Sequence, residues 1–146
     1  MVKRRILVVD DDREFAQSIA LRCRSIGFEA DAAFTPLAAI VKIGSRYPDL
    51  LCLDVNMPSG NGLDLCEYLI RDASKPARPV IMITGSSDEA TFRRSLLLRT
   101  RYVRKSPNFW QRLQPVIEEL LGVVPALEAT RDREWNQDSP EEKFFG

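Results

Sequence analysis

Short apolar runs alternate with longer amphipathic segments along most of the 146-residue chain. Three runs are apolar throughout, while the second and fifth are more polar; in chain order the five are Ile6–Val9, Phe28–Ala32, Leu50–Leu53, Val80–Ile83 and Tyr102–Arg104. Strands that are apolar on both faces are typical of a parallel sheet covered by helices on both sides. The pattern therefore predicts five βα units, with the second and fifth strands at or near the sheet edges.

Each predicted helix has a recognisable start. The first helix places Phe15, Ile19 and Cys23 on one face and stops at Gly27. The starts, in chain order, are marked by Asp12, by Thr35 before Pro36, by Asn61 before Gly62, by Ser86 with Glu89 three residues later, and by Ser106 before Pro107. Pro115 interrupts the last helical pattern and is expected to kink or split that helix.

Helical periodicity fades from Gly122 onward. We therefore predict a folded domain over residues 1–122 and a C-terminal tail over residues 123–146. Residues 128–146 carry six acids, three bases and scattered aromatic side chains. Such a tail is expected to be flexible, and the alternative is an aromatic and acidic peptide that docks on this or another protein.

Composition fits one cytosolic domain. Hydrophobic residues make up 45% of the chain, and 21 basic and 21 acidic residues cancel, so no global charge favours nucleic acid or an anionic membrane. Cys23, Cys52 and Cys66 lie in apolar segments without metal-ligand spacing, which indicates reduced thiols. No apolar run approaches the roughly 20 residues that span a bilayer, and no cleavage site follows Met1; we expect a soluble, cytoplasmic protein.

Polar residues follow four of the predicted strands. They are Asp10 and Asp11 after the first, Asp54 after the third, Thr84 after the fourth and Lys105 after the fifth. The carboxyl ends of parallel strands meet at one edge of a sheet, so we expect these side chains to lie together. Clustered carboxylates repel one another and need a cation, and Mg²⁺ suits an oxygen-rich site in a chain without histidine.

This residue set suits phosphoryl transfer, which depends mainly on positioning and on neutralising oxygen charge. An aspartate nucleophile such as Asp54 would give an acyl phosphate. Lys105 is suited to pair with carboxylates or with a phosphoryl oxygen, and the Thr84 hydroxyl is suited to donate to another. The absence of histidine excludes that residue as an acid, a base, a metal ligand or a phosphate carrier within this chain.

Four motifs match a known family, in order and at family-like spacing. They are Ile6–Asp12, Leu53–Gly60, Ile83–Gly85 and Tyr102–Lys105, within a match that covers about residues 4 to 121. Together they resemble the receiver domains of bacterial two-component response regulators, in particular single-domain, chemotaxis-receiver-like proteins. The resemblance implies an α/β, flavodoxin-like (βα)5 fold, a doubly wound parallel sheet with strand order 2-1-3-4-5.

The resemblance also implies a role for the acidic residues. Asp54 would accept a phosphoryl group from the phosphohistidine of a sensor histidine kinase or from a phosphotransfer protein. Asp11, Asp54 and the backbone carbonyl of Asn56 would bind Mg²⁺ directly, and Asp10 would bind it through water. The protein would be a signalling switch and not an enzyme, with at most slow self-dephosphorylation.

A relay from the site to a protein surface is implied as well. Thr84 and Lys105 would hold the phosphoryl oxygens, and Tyr102 would turn inward when Thr84 shifts. This would change the face formed by the fourth helix, fifth strand and fifth helix, where a downstream protein or a second copy of the chain would bind. Asn56 and Ser86 occupy positions that tune the phosphoryl lifetime in the family. No DNA-binding domain and no membrane partner are expected.

Two departures from the family pattern surround this output face. The stretch Leu97–Arg101 replaces the small residues and glycine common before the fifth strand, which predicts a shortened or shifted fourth helix. Ser106 replaces the proline that usually follows Lys105, which leaves the loop geometry there open. Residues 93–112 also contain seven bases and no acid, which indicates either a solvated positive surface or a site for an acidic partner.

Two other functions compete with the switch. A phosphatase of the haloacid-dehalogenase type would also use an Asp-x-Asp, a Thr and a Lys at strand ends, but it leaves Asp54 and Met57–Pro58 unexplained and meets Glu14 where its pattern has a threonine or valine. A pseudo-receiver that binds partners without phosphorylation is the second alternative, suggested by the departures near Lys105.

Overall fold

A computed structural model of the chain describes residues 3–72, 74, 77–85 and 89–122. The strands of the main sheet are β1 Arg5–Val9, β2 Glu29–Ala33, β3 Leu50–Asp54, β4 Val80–Thr84 and β5 Arg101–Arg104. The helices are α1 Arg13–Ser25, α2 Pro36–Ser45, α3 Gly62–Ile70, α4 Glu89–Leu97 and α5 Phe109–Leu121. Two short strands between β3 and α3, Asn56–Met57 and Gly60–Asn61, pair with each other as a hairpin. A helix therefore follows each main strand, as the alternating pattern predicts.

The five strands form one parallel sheet in the order β2-β1-β3-β4-β5. The predicted strand order is confirmed, and so is the placement of the more polar second and fifth strands at the two edges. Val9 of β1 lies opposite both Ala33 of β2 and Leu53 of β3. The strand order reverses between β1 and β3, and open α/β sheets bind ligands at the carboxyl ends of strands at such a point.

Alternate residues of the central strands face two separate hydrophobic cores. Ile6 and Val8 point into a core that side chains of α1 and α5 complete. Leu7 and Val9 point into a second core that side chains of α2 and α3 complete. Both faces of the sheet are therefore covered, which explains why the central strands are apolar throughout instead of alternating.

Three predicted helix starts are confirmed by side-chain caps. Asp12, Thr35 and Asn61 each accept a backbone N–H of the following helix, at 3.1, 3.0 and 2.6 Å. These bonds satisfy donors that the first turn of a helix leaves without a partner. Short polar side chains at the ends of β2 and of the hairpin thus fix where α2 and α3 begin.

The start of α5 differs from the prediction. The helix begins at Phe109, and Ser106 and Pro107 lie in the connection from β5. Ser106 caps a local turn instead: its carbonyl accepts the N–H of Phe109 at 3.0 Å, and its hydroxyl lies 2.8 Å from Asn108 Oδ1. Phe109 is buried in the α1–α5 core, and this packing sets the first turn of the helix. Pro115 lies inside α5 without splitting it.

Ser86, the predicted start of the fourth helix, and the predicted tail over residues 123–146 lie outside the described residues. α4 ends at Leu97, and Arg99 adopts a φ of 61° in the turn before β5. The three cysteines are free and buried, in agreement with the prediction of reduced thiols. None of the described helices is both long enough and apolar enough to cross a membrane.

Side chains of the neighbouring helices cover the free edge of β2. Arg24 Nε of α1 donates to the carbonyl of Ala30 at 3.0 Å. Lys42 Nζ of α2 lies 2.8 Å from Asp31 Oδ2. An outward-facing backbone carbonyl of this edge strand therefore has its partner within the chain.

Candidate functional site

Three aspartates converge at the carboxyl ends of β1 and β3. One carboxylate oxygen each of Asp10, Asp11 and Asp54 lies within 4.8 Å of the other two. Asp10 is fully buried, Asp54 is 4% exposed and Asp11 is exposed to solvent. The cluster therefore forms an acidic pocket that opens to solvent on the side of Asp11.

Backbone pairing beyond the strand ends holds the two buried carboxylates. The N–H of Asp10 donates to a β2 carbonyl at 3.0 Å, and Asp10 Oδ1 accepts the N–H of Asp12 at 3.0 Å. Val55, directly after Asp54, donates its N–H to the carbonyl of Ile83 at 2.9 Å. Hydrogen bonds that extend the sheet thus fix the backbone at both aspartates, and the N–H of Asp12 holds the Asp10 carboxylate.

A close backbone approach from α3 supports Asp54. The N–H of Gly62 donates to the carbonyl of Val55 at 3.0 Å. A Cβ atom on residue 62 would overlap the carbonyl oxygen of Asp54. Only glycine fits at this position, and the short hairpin before α3 returns the chain to it.

Lys105 brings a positive charge to the cluster. Its backbone N–H donates to the carbonyl of Thr84 at 2.8 Å. This bond extends the β4–β5 pairing to the rim of the sheet, the carboxyl edge at which Asp10, Asp11 and Asp54 lie. Its Nζ lies 2.9 Å from Asp10 Oδ2 and 3.9 Å from Asp54 Oδ1. Lys105 therefore reaches both buried carboxylates although Ser106, and not proline, follows it.

Burial gives Asp54 an unusual proton affinity. Desolvation raises the pKa of its carboxyl from 3.8 to about 7, and the charge of Asp10 acts in the same direction, while Lys105 opposes both. Protonation of Asp54 and binding of a cation therefore compete near neutral pH. A divalent cation at this point would keep Asp54 ionised.

The donor set fits a hard divalent cation. The buried Oδ2 of Asp10 is paired with Lys105, yet no aligned hydrogen bond to it is found among the described residues. A cleft of about 410 Å³ adjoins the cluster and is lined by Asp11, Val55, Asn56, Met57, Pro58 and Asn61. Oxygen ligands beside a solvent-filled cleft suit Mg²⁺, which keeps several of its waters.

The other predicted site residues divide into two groups. Thr84 is fully buried at the end of β4, and exposed Asn56 donates its N–H to Asp54 Oδ1 at 3.4 Å, so both lie at the rim. Tyr102 is half-buried and lies opposite Met82, two residues before the end of β4, where its ring meets the ring of Phe92 edge-on with centroids 5.1 Å apart. Among the predicted site residues that the structure describes, all except Tyr102 lie at this rim, and Ser86 lies outside the described residues.

Two contacts, one at the site and one on the outer side of α3, are not predicted from the sequence. Lys105 Nζ lies over the ring of Phe15 in α1, 4.6 Å from its centroid. On the outer side of α3, Arg94 lies 2.7 Å from Asp64 and 3.1 Å from Glu67. The spacing of Asp64 and Glu67 places both on one helix face, a pattern that indicates a shared cation. The helical pattern assigns Phe15 only to an inner face and gives no sign of its contact with Lys105.

At least four of the seven bases within residues 93–112 are neutralised inside the chain. The ion pairs are Arg93 with Glu89, Arg94 with Asp64 and Glu67, Arg101 with Glu119, and Lys105 with Asp10. Positive charge on this stretch is therefore lower than the sequence indicates, which favours the solvated surface over a site for an acidic partner.

A doubly wound parallel sheet with three acids and a lysine at its carboxyl edge defines a class of protein, the receiver domains of response regulators. The chain belongs to the response regulator receiver domain family, whose model matches residues 6–107. The flavodoxin-like fold implied by the sequence motifs is confirmed.

Two curated relatives are a DNA-binding response regulator and a transcriptional regulatory protein. The DNA-binding response regulator MtrA of Mycolicibacterium paratuberculosis is 33% identical over 87 residues, which are 60% of this chain and 37% of MtrA. The phosphate regulon transcriptional regulatory protein PhoB of Pseudomonas aeruginosa is 35% identical over 89 residues, which are 61% of this chain and 39% of PhoB. The chain thus spans less than two fifths of the length of either relative.

Solved structures agree with the fold. A CheY-like response regulator receiver domain protein from Methanospirillum hungatei superimposes with a TM-score of 0.73 and 28% identity, over 82% of this chain and 94% of that one. The response regulator TrrA from Thermotoga maritima, solved in complex with Mg²⁺-BeF, gives a TM-score of 0.70 and 29% identity, over 80% and 98% of the two chains.

These relatives correct one prediction about partners. The sequence predicts no DNA-binding domain, because no motif that reads nucleic acid follows the receiver motifs. That expectation is wrong as an exclusion, since MtrA is a DNA-binding response regulator, PhoB is a transcriptional regulatory protein, and this chain spans less than two fifths of either one. A receiver domain carries no local signal of the output domain with which it acts.

Proposed function

We propose that this chain is a phosphorylation-dependent signalling switch that accepts a phosphoryl group on Asp54 from a sensor histidine kinase. The observation that carries the proposal is the buried pair of Asp10 and Asp54 with Lys105 Nζ at 2.9 and 3.9 Å from their oxygens. This arrangement sets a nucleophile beside charges that neutralise phosphoryl oxygens. The complex of TrrA with Mg²⁺-BeF supports a site of the same kind here.

Asp54 is the acceptor. An oxygen of its ionised carboxylate attacks phosphorus while the bond from phosphorus to the donor's histidine nitrogen breaks, and the leaving imidazole takes up a proton. Lys105 then neutralises one phosphoryl oxygen, and the Thr84 hydroxyl donates to another. Because Asp54 is only 4% exposed, these contacts form away from bulk water. Electrostatic contacts are stronger there than in water.

Mg²⁺ would be held by Asp11, Asp54 and the backbone carbonyl of Asn56, with Asp10 as a ligand through water. When bound, the ion supplies positive charge that offsets the carboxylates and the incoming phosphoryl group. Asp10 also keeps Lys105 directed toward the site through their ion pair.

The proposed output is the face of α4, β5 and α5. A phosphoryl group on Asp54 draws the Thr84 hydroxyl toward it, and Tyr102 moves inward in response. The edge-on contact with Phe92 supports this relay, because a movement of Tyr102 must repack α4. The chain modifies its own side chain in this scheme, so we propose that it is a switch and not an enzyme. We also propose that it acts in the cytoplasm.

Intact-mass measurement tests the proposal. The chain is incubated with phosphoramidate or acetyl phosphate in Mg²⁺, beside Asp54→Asn. A phosphoryl adduct is expected on the wild type and not on the variant, and chelation of Mg²⁺ should abolish it. Asp64→Asn, an exposed acid outside the site, serves as the matched control and should form the adduct normally.

Absence of an adduct, together with no response to beryllofluoride, would overturn the proposal. The pseudo-receiver, which binds partners without phosphorylation, would then take its place. The haloacid-dehalogenase alternative makes a different prediction, since it requires the adduct on Asp10. Peptide mapping of the modified residue separates it from the switch.

A further inference from the structure

We infer that Phe15 is a positioning residue for Lys105: its ring holds the lysine ammonium in place between α1 and the acidic pocket. The inference rests on the proposed function of the site and adds a residue to it. Lys105 lies in the connection between β5 and α5, where its flexible four-carbon side chain has few backbone constraints. Something other than the sheet must therefore set the position of its ammonium group.

A carboxylate and an aromatic ring both lie close to that group. Nζ lies 2.9 Å from Asp10 Oδ2 and 4.6 Å from the centroid of the Phe15 ring. The face of an aromatic ring carries partial negative charge and attracts an ammonium group. The lysine side chain is 29% exposed, so the contact is partly shielded from water, where such an attraction is stronger than on an open surface.

The Phe15 ring is itself anchored. Its centroid lies 5.2 Å from that of Phe109, with the two rings tilted by 53°. Phe109 is buried in the core at the first turn of α5, so the ring under Lys105 rests on packed side chains of both α1 and α5. The ammonium group therefore contacts an anchored ring as well as the carboxylates.

Ordinary core packing is the competing explanation for an aromatic residue at position 15. Packing alone requires apolar volume, and leucine or methionine supplies it. Positioning of Lys105 requires the ring face. The two explanations therefore differ in what Phe15→Leu and Phe15→Tyr do to Lys105, since tyrosine keeps the ring and leucine does not.

The first measurement is the NMR chemical shift of the Lys105 Cε methylene group in the Mg²⁺-free protein, assigned with Lys105→Arg. An upfield ring-current shift is expected in the wild type and in Phe15→Tyr, and its loss is expected in Phe15→Leu. Phe34→Leu is the matched control, because the Phe34 ring makes a similar contact with Arg13, 4.4 Å from the guanidinium carbon. This control should leave the Lys105 shift unchanged.

The second measurement is the rate of adduct formation with phosphoramidate at saturating Mg²⁺. Phe15→Leu should slow it by about threefold to tenfold, in line with the strength of a partly buried cation–π contact, and Phe15→Tyr should restore it. If Phe15→Leu does not fold, Phe15→Met replaces it.

Wild-type shifts and rates in Phe15→Leu would overturn the inference. So would a folded Phe15→Tyr that restores neither, because the role would then be steric. If the wild type forms no adduct, the proposed function fails, and the Lys105 shift still decides whether Phe15 positions the ammonium group.

Discussion

At the rim of the sheet and on the outer side of α3, one cation pairs with two acids, yet the two clusters have opposite properties. At the rim, Asp10 and Asp54 are buried, and burial raises the pKa of Asp54 to about 7 despite the nearby Lys105. On α3, two acids in contact with solvent bind Arg94, and the hydrogen bond to Asp64 raises the pKa of that guanidinium. Burial therefore distinguishes a reactive cluster from a surface ion network of similar composition.

The largest difference between the clusters should be seen when the cation of the rim is removed. Lys105→Ala deletes the charge that neutralises phosphoryl oxygens, and we expect adduct formation from phosphoramidate in saturating Mg²⁺ to slow by about 100-fold. Arg104→Ala, an exposed base next to it at the same strand end, is the matched control and should react at the wild-type rate. Equal rates in Lys105→Ala and wild type would contradict a role for this ammonium group.

The cost of burying Asp54 should appear as a pH-dependent stability difference. Its folded-state pKa of about 7 exceeds the unfolded value of 3.8, so the folded protein loses stability as the pH rises between these values. Asp54→Asn carries no charge to desolvate and should be more stable than the wild type in Mg²⁺-free buffer at pH 8, by on the order of 2 kcal/mol. Urea unfolding at pH 5 and pH 8 measures the difference.

Asp64→Asn is the counterpart in the surface cluster and should show no such gain at pH 8. A stabilisation of Asp54→Asn that is the same at pH 5 and pH 8 would show that the effect does not come from ionisation of Asp54.

Competition between protons and Mg²⁺ should be the next largest effect. Below the Asp54 pKa of about 7, the apparent Mg²⁺ affinity should fall by up to about tenfold for each unit of pH, because the ligand must lose a proton to bind. Calorimetric titration at pH 8, 7 and 6 measures it, and Asp54→Asn should remove the pH dependence. An affinity that is constant from pH 6 to pH 8 would contradict the raised pKa.

The smallest effect should come from the surface cluster. Arg94→Ala breaks contacts that water and salt screen, so we expect a loss in unfolding free energy below about 1 kcal/mol that shrinks further in high salt. Adduct formation at Asp54 should be unchanged. A larger, salt-independent loss would mean that Arg94 holds α4 against α3 more firmly than its exposure indicates.

The rim could be predicted from the sequence because each of its residues follows a strand that the local pattern identifies. Parallel pairing then brings Asp10, Asp54, Thr84 and Lys105 to one edge, whatever the length of the connecting segments. Helix starts at short polar caps such as Asp12 are local for the same reason, since the side chain bonds to the next turn of its own helix.

Contacts between side chains that are distant in sequence cannot be predicted from these local patterns. A helical pattern assigns Phe15 to an inner face, but it does not say that Lys105 lies against the ring. Local signals also mislead where packing decides: Ser106 and Pro107 resemble a helix start, yet burial of Phe109 places the first turn of α5 later. Receiver motifs likewise contain no information about an output domain, which is why the exclusion of DNA binding fails.

The hydrogen bond from Arg24 to the carbonyl of Ala30 has a consequence for the protein at high concentration. An open edge strand is a template on which a second chain can extend the sheet, and such pairing leads to aggregation. Arg24 takes an acceptor that an incoming strand would need, and Lys42 with Asp31 adds charged side chains beside it. The sheet therefore ends at β2, and this edge is protected against extension of the sheet by a second molecule.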